Sequence, residues 1–276
     1  MKKITKLITH GGVFHADEVF STAMLKMLYP DAEIVRTFNV TDELCKDDQS
    51  IIYDIGFGMY DHHQANRQVR QDGTPYAAFG LLWHDFWDNF VLNEEIAQRF
   101  DEGFIEEMDL HDNTGCGNSI ATLIGDFLPT WEEDSSNDAQ FLEAVEFATS
   151  ILKRRFKQIN AKFKAKEIVL EEYSMTKNNE ICVLKKCIPW KDALCQSDAK
   201  FVIYPSLRGG WNAQVVPVET ASNIAKVEFP MEWWGKKENL PMGVTFCHAN
   251  GFLLAANTEE IAYSCCKTAL QNKKGM

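Results

Sequence analysis

The sequence predicts an α/β protein in two parts, a parallel-sheet N-terminal domain over residues 1–165 and a smaller α+β domain over residues 166–276. Three observations predict it. Short apolar runs alternate with helical spacing through the first sixty residues, the order that builds a parallel sheet with helices on its faces. Strand signals then fade after Tyr76 and return only beyond about residue 166. The charge divides as well: residues 1–150 hold 9 Lys and Arg against 28 Asp and Glu, and residues 151–276 hold 19 against 12. The formal net charge of −12 over 276 residues therefore joins a strongly acidic half to a basic one, and such halves attract different partners.

Lys6–His10 and Glu33–Phe38 read as strands, and Glu18–Tyr29 between them sets Val19, Phe20, Ala23, Met24, Met27 and Leu28 at helical spacing. Ser50–Ile55 is a third strand, ended by Gly56. From Tyr76 to Lys166 the pattern is mostly helical, with breaks at Thr114–Gly117 and near Pro129. It closes on a long helix over Asp138–Lys166, for which Ser135, Ser136 and Asn137 supply caps. That helix turns basic, with seven Lys and Arg between Lys153 and Lys166, and serves as the connector. Strands are expected next at Ile168–Glu172, Ile181–Leu184, Phe201–Tyr204, Ala213–Val218 and Val244–Cys247. A final helix over Thr258–Leu270 places Ile261, Ala262, Cys265 and Ala269 on one face.

With 45% hydrophobic and 25% charged residues, the composition excludes disorder, collagen and coiled coil. No apolar run reaches the roughly 18 residues a membrane span needs, and the chain passes from Met1 into a strand pattern without a cleavable apolar core. These features read as an uncleaved intracellular protein of the cytoplasm or nucleus. Eight cysteines include no Cys-x-x-Cys, which suits unbridged thiols in a reducing compartment better than structural zinc.

Two dense clusters hold four of the seven histidines. His10-Gly-Gly-Val-Phe-His15-Ala-Asp17-Glu18 lies where the first strand passes into a helix, at the strand end where α/β sheets bind ligands; the plainer reading is that Asp17 and Glu18 favour a helix N-terminus. In the second, Asp54 closes an apolar strand, where an unpaired carboxylate is expensive. Asp61-His62-His63 follows, a run that rarely serves packing. A third group, Glu106 to Asn113, places Asp109 and Asp112 on one helix face, with a solvated acidic surface as the alternative. Oxygen and nitrogen donors without thiolate suit manganese or magnesium.

Asp54 and Asp61-His62-His63, with the His10 to Asp17 cluster, resemble the DHH phosphoesterase superfamily. The fuller strings His10 to Val19 and Tyr60-Asp61-His62-His63-Gln64 closely resemble the melanocyte proliferating gene one family, within or beside it. Glu107 to Asn113 and Pro241 to Phe252 are similar to that family's acidic motif and C-terminal signature, so the resemblance spans nearly the whole chain. It implies a DHH-like N-terminal domain and a two-metal centre at the cleft between the domains. His10, Asp17, Asp54, His62 and Asp112 would ligate two Mn²⁺ or Mg²⁺ ions, with Asp54 bridging and Asp109 a further possible ligand. His15 would replace an aspartate of the wider superfamily, Asp61 would orient His62, and His63 would contact the scissile phosphate. The implied activity is 3′→5′ exonuclease action on RNA, and the implied compartments are nucleus and mitochondrion. Thr114, Ala255 and Ala256 stand where the family tends to have glycine.

In the basic half, Arg208-Gly209-Gly210-Trp211 and His248, Asn250 and Gly251 are candidates for substrate contact: Arg208 suits phosphate and Trp211 a base. Trp233 and Trp234 suit packing better, and His84 and His111 read as ordinary, partly buried histidines. An RNA or short oligonucleotide is the expected substrate, with docking through the basic half. A small phosphorylated substrate is the alternative enzyme reading, separated by salt dependence, and a metal-stabilised, non-catalytic binding protein is a third. The sequence leaves oligomeric state open.

Overall fold

The computed structural model describes residues 3–274 except 177 and 237, so Met1 of the N-terminal reading lies outside the described residues. Contacts divide the chain into two compact units, Met1–Asn160 and Ala161–Met276. In the first, β1 (Lys6–His10), α1 (Ala16–Leu28), β2 (Glu33–Thr37), α2 (Asp42–Lys46) and β3 (Ser50–Ile52) follow one another. β2 and β3 each pair with β1 in parallel, giving the order β2-β1-β3. Leu7 and Ile8, neighbours on β1, are both fully buried. Adjacent side chains of a strand point to opposite faces, so the central strand is covered on both.

The helical part holds α3 (Ala78–Phe86), α4 (Glu94–Phe100), a π turn over Asp101–Ile105, α5 (Glu106–Thr114) and α6 (Ser119–Gly125). α1 packs on α3, α5 and α6. Phe20 of α1 meets Phe79 and Phe104 at ring separations of 5.7 and 5.5 Å. Each such fully buried ring contributes about 1.5–3 kcal/mol. Trp83 stacks on Phe156 at 5.7 Å and 9°, which fastens α3 to α7 (Asn137–Ser174).

α7 overturns the strand expected at Ile168–Glu172. Three consecutive apolar residues look like a strand, but Ala165 and Val169 are the buried positions, one helical turn apart, so the helix continues through them. Its basic run faces solvent at Lys153, Arg154, Lys157, Lys162 and Lys164, while Arg155 lies over the Phe104 ring at 4.1 Å.

The second unit contains β4 (Ile181–Val183), α8 (Lys191–Leu194), β5 (Phe201–Pro205), β6 (Trp211–Val215), β7 (Val244–Cys247), β8 (Leu253–Ala256) and α9 (Glu259–Lys274). Its sheet runs β4-β5-β6-β8-β7, parallel only between β4 and β5. β8 was not expected. Its Leu-Leu-Ala-Ala shows no polar alternation, because it lies inside the sheet, paired on both edges. Ala255 and Ala256, where the resemblance placed glycines, are thus strand residues. Phe201, Ala213, Leu254, Cys265 and Cys266 form the core of this unit, and Trp233 is buried beside them. All eight cysteines are free. The chain is therefore mixed α/β, with a parallel three-stranded sheet and a separate mixed sheet. Among the described residues no helix is long and apolar enough to cross a membrane.

Candidate metal centre

The site forms at the carboxyl edge of the parallel sheet. β3 ends at Ile52, three residues short of the expected strand, and the backbone then turns. Asp54, Gly56 and Phe57 have φ of +55°, +88° and +56°, a region that costs a non-glycine residue about 1–3 kcal/mol. The turn is held by Asp54 N–H donating to the Tyr60 carbonyl at 2.9 Å and Phe57 N–H donating to Asp61 Oδ2 at 2.6 Å. In place of pointing along the sheet, the Asp54 carboxylate lies between two imidazoles: Oδ2 is 3.2 Å from His10 Nε2 and Oδ1 is 3.0 Å from His62 Nε2. His10 Nε2 is also 2.9 Å from Glu18 Oε1, and His62 Nε2 is 3.2 Å from Asp112 Oδ2.

Glu18 is the residue that sequence reasoning left out of the ligand set. It sits at the third position of α1, where its Oε1 accepts the His15 backbone N–H at 2.8 Å, the glutamate half of a capping box. It is fully buried, and its Oε2 has no hydrogen-bond partner. The three-residue spacing from His15 was the available signal.

Asp17 caps a helix, though not the one it opens. Its two oxygens accept the N–H groups of Ala78 and Phe79 at 3.0 and 2.8 Å, capping α3, whose own cap residue Ala77 has no polar side chain. Asp17 also lies with His62 and Asp112, one donor atom from each within 4.8 Å of the others. Asp109 points elsewhere. Its Oδ1 accepts Gly80 N–H at 3.2 Å, and its Oδ2 is 2.7 Å from Arg70 Nη2, so the shared helix face expected for Asp109 and Asp112 does not bring both to one centre. Burial pushes the Asp109 carboxyl up to about 7 against the pull of Arg70.

Asp61 holds His63 and not His62: its Oδ1 lies 2.7 Å from His63 Nδ1, while His62 Nδ1 faces Asn113 Oδ1 at 3.4 Å. His15 is exposed, its ring 6.0 Å from that of His10. These residues line a cavity of about 1050 Å³, together with Phe57, Arg67 and His111. His111, expected to be an ordinary histidine, is thus part of the wall, whereas His84 is exposed. Thr114 ends α5, and Gly115 takes the left-handed capping position at φ +70°, one residue later than the resemblance placed a glycine.

The basic-half candidates do not converge on one another. Arg208, Gly209 and Gly210 form the β5–β6 turn, beside Ala256 at the end of β8. His248, Asn250 and Gly251 form the β7–β8 turn, at the start of β8. Strand β8 separates the two turns by roughly 10 Å. A Cβ on Gly251 would stand 2.2 Å from the Trp234 indole, so this glycine also serves packing. Trp211 opens β6 and packs against the core of its unit.

The electrostatics of the centre call for a cation. Burial pushes the carboxyls of Asp17, Glu18 and Asp112 up, reinforced in each by the charge of Asp54. Burial also opposes charge on Asp54, His10 and His62, but their mutual hydrogen bonds prevail. Asp54 is held down at about 2, His10 is held up to about 11 with help from Glu18, and His62 is raised. Three buried carboxyl groups, of Asp17, Glu18 and Asp54, and the partly buried one of Asp112 thus surround two imidazoles, a gathering of acidic groups that a divalent cation offsets. The orphaned Glu18 Oε2 and three donor groups, His10/His15/Glu18 and the pair Asp54/His62/His63 and Asp17/His62/Asp112 that share His62, fit metal ions with oxygen and nitrogen donors.

Fold and site together define an α/β protein with a candidate divalent-metal centre at the edge of its parallel sheet. The family model MYG1_exonuc, described as "Uncharacterised protein family (UPF0160)", matches residues 6–270, so the chain belongs to the MYG1 family. It is 25% identical to a MYG1 protein of Schizosaccharomyces pombe over 98% of each chain. It is 27% identical to the MYG1 exonuclease of Homo sapiens, over 96% of this chain and 85% of that one. No solved structure matches it significantly.

Proposed function

We propose that this protein is a metal-dependent 3′→5′ exonuclease that hydrolyses RNA ends or short oligonucleotides through a DHH-like two-metal centre. The observation that carries the reading is the buried Asp54 carboxylate set between His10 and His62, 3.2 and 3.0 Å away. His10, Asp17, Asp54, His62 and Asp112 would hold two Mn²⁺ or Mg²⁺ ions, with Glu18 completing the donor set on the His10 side. Such ions, when bound, supply Lewis acidity and a water nucleophile for in-line displacement at phosphorus. The chain's own residues do the rest. Asp61 fixes the His63 ring through Nδ1 and leaves Nε2 for a phosphate oxygen. Arg67, in the cavity wall, supplies a cation for the same group, and Asn113 orients His62.

A cavity of about 1050 Å³, at the upper end of the roughly 300–1000 Å³ of ligand pockets, has room for the end of a nucleic acid. The exonuclease names of mammalian relatives point the same way, and the 3′→5′ polarity rests on the motif resemblance. Arg208 with Gly209 and Gly210, and His248 with Asn250 and Gly251, would meet the nucleic acid at two separate points.

The test is incubation of the full chain with end-labelled RNA and Mn²⁺ or Mg²⁺. Metal-dependent release of mononucleotides from the 3′ end is expected, with loss in Asp54→Asn and His62→Ala. Absence of release, or release unchanged in both variants, rejects the reading. The acidic charge of the N-terminal half favours a small phosphorylated substrate as the second reading. Activity nearly independent of salt would select it, since a polyanion loses affinity steeply as salt rises.

A further inference from the structure

The carboxyl edge of the β2-β1-β3 sheet carries two aromatic rings that neither metal nor phosphate binding uses. Phe57 leaves 72% of its surface exposed and Phe38 leaves 84%. Phe57 lines the cavity that holds Asp54, His62, His63 and Arg67. Phe38 follows β2, its ring against the Gly11–Gly12 turn that follows His10. We propose that Phe57 is a stacking platform for the terminal nucleobase of a single-stranded nucleic acid, with Phe38 a second aromatic face on the other flank of the His10 turn. The inference rests on the phosphodiesterase reading of the same site and names what that reading leaves open, the part of the substrate recognised beside the phosphate.

One exposed phenylalanine would be ordinary; this one occupies a backbone conformation that disfavours it. Phe57 has φ +56°, a left-handed angle uncommon for bulky residues and free of strain for glycine, and glycines flank it at 56 and 58. A glycine would make the same turn with less strain and less exposed apolar surface, so the fold's own needs do not select the ring. The ring is also tied to the reacting end of the site. Asp61 accepts the Phe57 N–H through Oδ2 and holds His63 Nδ1 through Oδ1, so one buried carboxylate positions both the aromatic face and the imidazole meant for phosphate. A base stacked on Phe57 would leave its adjoining phosphate beside His63 and Arg67. Stacking accepts any base, because every base has a π face, as an exonuclease advancing along mixed sequence requires.

The test uses the full chain with Mn²⁺ and a short RNA that carries 2-aminopurine at its 3′ end and a non-hydrolysable phosphonate as its last linkage. Binding to the wild type should quench the 2-aminopurine fluorescence. Phe57→Leu, apolar but without a π face, should bind about 5- to 150-fold more weakly and lose the quench, the range of base–aromatic stacking, while Phe57→Trp should retain both. The preference of the wild type for a base-bearing over an abasic end should collapse in Phe57→Leu. Phe57→Gly should bind as weakly as Phe57→Leu yet melt no lower than the wild type, an outcome that a purely structural role would not give. Equal losses on base-bearing and abasic ends, or a changed oligomeric mass with the quench intact, would make the ring a packing or protein contact and overturn the inference. Wild-type protein that releases mononucleotides without any quench refutes stacking alone, whereas wild-type protein that neither binds nor cleaves RNA in the presence of metal refutes the parent reading with it.

Discussion

Gly80 offers a test in which two known effects oppose each other. It lies in the first turn of α3, where Gly→Ala should stabilise a helix by about 1 kcal/mol. Its neighbours reverse that expectation. A Cβ at this position would stand 2.0 Å from Asp109 Oδ2, 2.8 Å from the Tyr76 ring and 2.9 Å from Arg70 Nη2. All three belong to a buried arrangement in which Arg70 pairs with Asp109 and with Asp101, each at 2.7 Å, and its guanidinium lies 4.0 Å from the Tyr76 ring centre. Overpacking costs about 1–3 kcal/mol, and breaking a buried ion pair about 3–5 kcal/mol. Asp109 is displaced and not deleted, so only part of the second applies. The balance predicts Gly80→Ala to be about 2–4 kcal/mol less stable, roughly 5–15 °C in melting temperature for a unit of this size. Thermal and urea denaturation measure it, and the double variant with Asp109→Ala isolates the cause. With the closest atom removed, the added methyl should lose most of its effect, giving a coupling of a few kcal/mol. A Gly80→Ala protein as stable as the wild type, or a loss that persists undiminished without Asp109, would refute the reasoning.

Mn²⁺ at about 100 times its dissociation constant should stabilise the first unit by about 2.7 kcal/mol. Asp54→Asn, a residue that tolerates the left-handed backbone, should abolish that shift in a thermal melt. Without metal, the raised groups His10, His62, Asp17, Glu18 and Asp112 mean that the folded chain binds more protons than the unfolded one, so stability should fall as pH rises from about 5 to 9. Asp54, depressed to about 2, contributes no slope in that window. Saturating Mn²⁺ should flatten or reverse the trend by displacing the same protons; a melting temperature that rises with pH in chelator would contradict the assignment. Asp61→Asn should lower turnover about 10- to 100-fold while the Mn²⁺ melting shift persists, and loss of that shift would show that Asp61 supports the ligands and not His63.

The parallel sheet and α1 were legible because their signals are local: alternating apolar runs and a helical stripe need only neighbours along the chain. The two histidine clusters were legible for the same reason. What the sequence concealed depends on partners far along it. Asp17 caps a helix that begins 61 residues later, and Asp109 meets Gly80 and Arg70, which stand 29 and 39 residues before it, partners that spacing along the chain does not reveal. β8 was hidden because a strand paired on both edges needs no polar alternation, and Ile168–Leu170 looked like a strand because three apolar residues carry no period.

The largest departure from the sequence pattern coincides with the centre of the site. Ile51, Ile52, Tyr53 and Ile55 make an apolar run that argues for an extended strand through Asp54. Had the strand continued, Asp54 would point to the same face as Ile52, and its carboxylate would be carried past the end of β1 along the sheet. The left-handed turn at Asp54 re-aims it between His10 and His62, whose hydrogen bonds and charges outweigh the burial penalty and hold the carboxyl at about 2. The same turn continues to Phe57, so one strained segment sets both the central carboxylate and the exposed ring. Backbone strain of this kind persists only where surrounding contacts over-determine it. Here those contacts are the imidazoles of His10 and His62, the Tyr60 carbonyl and the buried carboxylate of Asp61. The conflict between local pattern and observed backbone is therefore itself evidence for where the chemistry lies.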